Sequence, residues 1–257
     1  MENTPKISII IATYNAGSFI ERALQSVLDQ KYPNTELIVI DGNSKDDTVS
    51  KIRKFEDGIA YWVSEPDKGI YDAWNKGVDK ATGDWTMFLG ADDLLVPGAI
   101  KDYVEFLKGV GKEVDYVSSR IEMIDENDTT IRIKGWPWEW PMFLKEMTVA
   151  HPGSLHSKRL FEKYGRFDTS YKITGDYEFL LRPGKELKTA YYDKVQVKMS
   201  EGGASDSIAA VKEHLRAASK TGGYPEYKAK LNGAVVYIKF KGKYLLRRFG
   251  FNAYLKT

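Results

Sequence analysis

The strongest constraint on the fold is an alternation within the first ninety residues. Four short apolar runs, at residues 6–12 (KISIIIA), 36–40 (ELIVI), 59–64 (IAYWVS) and 85–89 (WTMFL), are separated by stretches of helical periodicity. Continuous runs rich in β-branched and aromatic residues suit strands covered on both faces. After the first run, Phe19, Ile20, Ala23, Leu24, Val27 and Leu28 recur at helical spacing, and Lys31-Tyr32-Pro33-Asn34 ends that helix. A second helix is expected from about Asp46, with Val49, Ile52 and Phe55 on one face, and a third over 69–81. Strand and helix alternating at this spacing require right-handed crossovers. The expected class is α/β, with a mostly parallel, Rossmann-like sheet and helices on both faces.

An open sheet of this kind binds ligands beyond the carboxyl ends of its strands. Acids collect there. Asp41 follows the second run and Asp67 the third, while Asp92 and Asp93 follow the fourth across a Gly90-Ala91 hinge. Two adjacent carboxylates repel each other and lose hydration at a sheet edge. A divalent cation with oxygen ligands, bridging to a phosphate, relieves both costs. The competing reading is that Asp92 or Asp93 caps a helix beginning near Pro97.

The pattern changes from residue 116. Residues 116–124 and 129–134 read as shorter, antiparallel strands about the turn 125–128, followed by the loop Trp136-Pro137-Trp138-Glu139-Trp140. Helices are expected over 155–164 and 174–182, and a last strand over 189–199. The chain has no cysteine, which excludes disulfides, thiolate metal sites and cysteine nucleophiles together. A net charge of +2 favours no particular macromolecular partner, and no nucleic-acid partner is expected. The N-terminus lacks the layout of a signal peptide, and no apolar stretch is long enough to span a bilayer. The expected location is cytoplasmic. Past Glu226 there is no acid, while Lys228, Lys230, Lys239, Lys241, Lys243, Arg247, Arg248 and Lys256 accumulate beside an apolar helical stripe. That pattern suggests attachment to an anionic membrane surface; a helix packed on the main domain is the alternative.

Five segments, ISIIIATYN, ELIVIDGNSKDDT, SEPDKGIYDAWNKG, GDW…FLGADD and HPGSLHSKRLFEKYGRFD…ITGDYEFLLR, occur in an order and spacing that resemble family-2 glycosyltransferases of the GT-A fold. The resemblance runs from about residue 6 to 205. It implies transfer of a sugar, with inversion, from a nucleoside diphosphate donor to an acceptor hydroxyl, assisted by Mn²⁺ or Mg²⁺. Family frequency favours a UDP-sugar as donor, with a glycan or lipid-linked acceptor in surface polysaccharide or lipopolysaccharide-type biosynthesis.

Carried over by motif, Asp93 would bind the metal and Asp92 the ribose while supporting the ion. Asp176 would be the general base. Thr13, Asn15 and Asp41 would bind the nucleoside, and Asp67 and Lys68 would approach the base or diphosphate. His151 and His156 would lie near the acceptor or metal; the alternative for either is a satisfied polar histidine with no role in the chemistry. An N-cap role is the alternative for Asp176, and there the helix dipole would lower its pKa. At least one of Trp136, Trp138 and Trp140 is expected on the acceptor side; the alternative is that all three simply cover the core.

The chain departs from the family pattern at four places. Gly90 and Gly42 stand where acids are common, Trp74 precedes Asn75 where an arginine is common, and no histidine follows the last strand. Glu201, or water and the diphosphate, would complete the metal shell. The resemblance divides the chain into a catalytic domain at 1–205, with a nucleotide-sugar half at 1–115 and an acceptor half at 116–205, and a basic helical tail at 206–257. A sugar nucleotidyltransferase would need a glycine-rich basic loop after the first strand, and ATYNAGSF is not one. A non-catalytic glycan- or membrane-binding module would have no use for acids at 93 and 176.

Overall fold

The computed structural model describes residues 4–201, 207–231 and 233. Four parallel strands, β1 (Ile7–Thr13), β2 (Thr35–Asp41), β3 (Tyr61–Ser64) and β4 (Trp85–Gly90), form one half of a single sheet. The other half comprises β5 (Leu94–Leu95), β6 (Tyr116–Ile124), β7 (Thr130–Lys134), β8 (Leu155–Ser157) and β9 (Thr189–Ser200). Among the described residues the order is β3-β2-β1-β4-β8-β6-β9-β5, with β7 paired to the side of β6. β8 runs antiparallel to both β4 and β6, and β9 runs parallel to β6. The expected α/β class with a mostly parallel central sheet is what the chain forms.

Alternate residues of the apolar strands enter two cores. Ile7, Ile9 and Ile11 pack with α1 (Ile20–Leu28), α2 (Thr48–Arg53) and α4 (Ala99–Lys108). Ile10 and Ala12 pack with α3 (Ile70–Lys80), α6 (Lys158–Tyr164) and α7 (Gly175–Leu181) on the opposite face. Burial of each such isoleucine is worth about 1.5–3 kcal/mol. Burial on both faces is why β1 shows no polar alternation.

Register carries the strand ends to one rim. Thr13 lies opposite Asp41, Asp41 opposite Ser64, and Ala12 opposite Gly90. The turns after all four parallel strands therefore share one edge of the sheet.

Two expectations need correction. Residues 155–164 are not one helix: Leu155, His156 and Ser157 form β8, and α6 starts only at Lys158. All three are buried between β4 and β6, and the Ser157 side chain caps α6 by accepting from the Leu160 N–H. The tryptophan loop contains a short helix, α5 (Trp140–Phe143). Past the expected boundary at 205, α8 (Ile208–Lys220) packs on the acceptor half. Its His214 ring stacks on Tyr177 at 4.1 Å, and Arg216 lies 3.9 Å over the Tyr171 ring. The basic stretch past residue 233, half of the expected tail, lies outside the described residues. Among the described residues, no helix is long and apolar enough to cross a membrane.

Candidate active site

Thr13 is 5% exposed, and its hydroxyl is buried without a hydrogen-bond partner among the described residues. Asn15 takes a positive φ of 48°, one of the few residue types that tolerate it. Its N–H donates to Ser44 Oγ at 2.7 Å, and its side-chain oxygen accepts from the Lys45 N–H at 2.8 Å, so it ties the β1 and β2 turns together. Asp41, expected to touch the nucleoside, is fully buried. Its carboxylate accepts from the Ser44 N–H, the Ser44 hydroxyl and the Ser64 hydroxyl. With those partners it orders the turn from behind and presents no open oxygen to a ligand.

The acid missing at position 42 is replaced in space. A Cβ built on Gly42 would lie 2.5 Å from Asp67 Oδ2. Glycine there admits the Asp67 carboxylate to the β2 turn, and Oδ1 of the same group accepts from the Gly69 N–H at 2.8 Å. The neighbouring Lys68 is exposed, and its N–H donates to Asp72.

Beyond β4 the two acids differ sharply. Asp92 is exposed, and its carbonyl accepts from Ser200 Oγ at 3.0 Å, which ties the end of β9 to this turn. Asp93 is 5% exposed and accepts from the Gly90 N–H at 2.8 Å. Burial, and secondarily the Asp92 charge, push the Asp93 carboxyl up to about 7, against the pull of the Gly90 N–H. The sequence expectation aimed Asp93 at the metal, yet Asp92 is the member facing solvent.

Both carboxylates nevertheless approach one point. A Cβ on Gly90 would lie 2.9 Å from Asp92 Oδ1 and 3.0 Å from Asp93 Oδ2. No cluster of three or more potential protein ligands occurs among the described residues. Two hard oxygen donors of like charge suit a small divalent cation that takes its other ligands from phosphate and water. The residues present therefore fit Mg²⁺ or Mn²⁺.

Asp176 is the second residue of α7, and the N-cap is Thr174, so capping is not its role. Its Oδ1 accepts from the Tyr71 hydroxyl and the Tyr177 N–H, each at 2.9 Å. Burial pushes its carboxyl above the usual carboxylate range, overriding the pull of those donors. This reverses the expectation of a lowered pKa and makes Asp176 a better proton acceptor. Tyr71 also faces the Ile173 carbonyl at 2.7 Å. One hydroxyl proton cannot serve both acceptors fully, so it is shared while Asp176 is ionised.

His151 is too buried, at 3% exposure, to meet an acceptor sugar directly. It stacks on Trp74 at 5.2 Å and Phe88 at 5.7 Å, and its Nδ1 lies 3.9 Å from Asp176 Oδ2. Burial lowers its pKa to about 3, so the ring is neutral. His156 is buried still deeper, and burial holds its pKa well below the ordinary imidazole value. The loop carrying His151 is pinned to β4 by the Gly153 N–H, which donates to the Phe88 carbonyl at 3.0 Å. His151 thus lies between Asp176 and β4, the strand that leads into the Asp92–Asp93 turn.

Trp74 belongs to this packing and is 6% exposed, whereas Asn75 makes paired bonds to the Phe167 backbone, both 2.9 Å. Of the three loop tryptophans, Trp138 packs on Phe143 at 4.0 Å and Trp140 at 6.2 Å, while Trp136 is 53% exposed. Sequence reasoning missed Tyr71 altogether. It lies within SEPDKGIYDAWNKG, but nothing local connects it to a residue 105 positions away.

Residues 8–169 match the family model described as Glycosyl transferase family 2. An uncharacterised glycosyltransferase of Mycobacterium tuberculosis is 36% identical over 186 residues, covering 71% of this chain and 70% of the relative. A PGL/p-HBAD biosynthesis glycosyltransferase of Mycobacterium bovis is 30% identical over 217 residues, covering 82% and 83%. Among solved structures, Staphylococcus aureus TarS aligns with a TM-score of 0.65 at 18% identity, over 96% of this chain and 44% of its own. The mannosyltransferase PcManGT of Pyrobaculum calidifontis, in complex with GDP-Man and Mn²⁺, aligns with a TM-score of 0.65 at 21% identity, over 92% and 70%. At these identities the solved structures speak for the fold.

Proposed function

Because the chain belongs to glycosyl transferase family 2, we propose that it moves a sugar from a nucleoside diphosphate donor to an acceptor hydroxyl in one inverting displacement. The observation that carries this reading is the presence of two unlike carboxylate sites in one chain. One is the Asp92–Asp93 turn, and the other is the half-buried Asp176, held by Tyr71 and made more basic than an exposed acid.

Asp176 takes the proton of the acceptor hydroxyl as that oxygen bonds to the anomeric carbon. The bond from that carbon to the diphosphate oxygen breaks, and its electron pair leaves with the nucleoside diphosphate. Asp92, with Asp93 behind it, would hold Mn²⁺ or Mg²⁺, which when bound offsets charge on the leaving diphosphate. Thr13, at the end of β1, lies beside the nucleoside, with Asp67 and Lys68 at the base or diphosphate. Asn15 and Asp41 hold the turns that shape this pocket.

A UDP-sugar is the proposed donor; TarS residues 1–349 have been crystallised with UDP-GlcNAc. The proposed acceptor is a glycan or a lipid-linked glycan at the inner membrane surface, in line with the basic segment 226–257. Residues 4–224 are proposed as one catalytic body.

The test is nucleotide release from UDP-glucose, UDP-GlcNAc and GDP-mannose in the presence of Mn²⁺. Asp176→Asn should lower turnover by about 10²- to 10⁴-fold with nucleotide affinity retained. A variant as fast as wild type would overturn the assignment of the base.

A further inference from the structure

We propose that Glu213, on α8 and beyond the residues matched by the family model, is a positioning residue for Asp176. The proposal rests on the reading of Asp176 as the base. Glu213 accepts from three consecutive backbone N–H groups just ahead of α7: Lys172 at 2.8 and 3.0 Å, Ile173 at 2.8 Å and Thr174 at 3.1 Å. Both carboxylate oxygens are used, and these N–H groups have no other acceptor among the described residues.

The same segment is gripped from the opposite side. Tyr71 bonds the Ile173 carbonyl and Asp176 Oδ1, and a Cβ on Gly175 would meet the Tyr71 ring at 2.9 Å. Residues 172–176 are therefore clamped between α8 and α3. The clamp is anchored, because His214 Nε2 lies 2.9 Å from the Lys145 carbonyl oxygen while its ring covers Tyr177.

Position and basicity are coupled here through the shared Tyr71 proton. If residues 172–174 are released, the Ile173 carbonyl leaves Tyr71, whose proton then goes wholly to Asp176. Water also gains access to the carboxylate. Both changes make Asp176 a weaker base. The other titratable groups facing it are His151 from the loop before β8, His214 from α8 and Tyr116 from β6.

The experiment compares Glu213→Ala, Glu213→Gln and Asp176→Asn in the full chain. It measures UDP or GDP release with Mn²⁺ from whichever of UDP-glucose, UDP-GlcNAc and GDP-mannose the wild type turns over fastest. Glu213→Ala should lower kcat by about 10- to 100-fold, with the Kd for UDP or GDP changed by less than about twofold. The acid limb of the kcat–pH profile should move to lower pH. Glu213→Gln keeps an acceptor oxygen and should fall between the two, and it carries the test if the alanine variant does not fold. Wild-type kcat and an unmoved acid limb in both Glu213 variants, with only Tm reduced, would overturn the proposal while Asp176→Asn remained inactive. An active Asp176→Asn would remove the base assignment and this role together.

Discussion

Asp93→Asn should stabilise the metal-free protein, but only toward neutral and higher pH. The buried Asp93 carboxyl sits near 7, against an ordinary value of 3.8. Over the window from roughly 4 to about 7 the folded chain holds a proton there that the unfolded chain releases. Wild-type stability from this group is therefore complete below the unfolded pKa, declines as pH rises, and levels off above 7. Each pH unit inside the window is worth about 1.4 kcal/mol, so moving from pH 5 to pH 8 should cost the wild type about 3 kcal/mol. Asparagine has nearly the same shape, keeps an oxygen for the Gly90 N–H and has no proton to lose. In thermal unfolding with EDTA, the Tm advantage of the variant over wild type should grow by about 6–12 °C between pH 5 and pH 8 for a chain of this size. Mn²⁺ should then raise Tm in the wild type and not in the variant. A Tm difference that is the same at both pH values, or a variant less stable at pH 8, would refute this account of Asp93.

Two further outcomes are expected. Trp136→Ala should raise the acceptor KM and leave Tm unchanged, whereas Trp138→Ala, which empties the contact with Phe143, should lower stability by about 3 kcal/mol; identical behaviour of the two would remove Trp136 from the acceptor side. In liposome flotation, full-length chain should rise with anionic vesicles and a chain lacking 226–257 should not. Equal flotation would assign membrane attachment elsewhere or nowhere.

Much of the scaffold was legible because its signals are local. Residues 6–12, 36–40 and 85–89 are greasy on both faces, and only a covered strand accommodates that over so few residues. The acids after β2 and β4 followed from where those runs stop. The strand at Leu155–Ser157 was not legible: three residues carry no period, and their conformation depends on pairing with β4 and β6. Ahead of α6, the same letters read equally well as the start of a helix.

The sequence by itself determined the α/β class, the family and the edge of the sheet on which acids gather, since hydrophobic spacing and turn residues are properties of neighbours in the chain. Tertiary structure alone decided which member of the Asp92–Asp93 pair meets solvent, why Asp67 fills the space left by Gly42, and how Tyr71 and Glu213 hold the segment that ends at Asp176. Burial and long-range hydrogen bonds set those outcomes, and both depend on segments that meet only after folding: 105 positions separate Tyr71 from Asp176, and 40 separate Ile173 from Glu213.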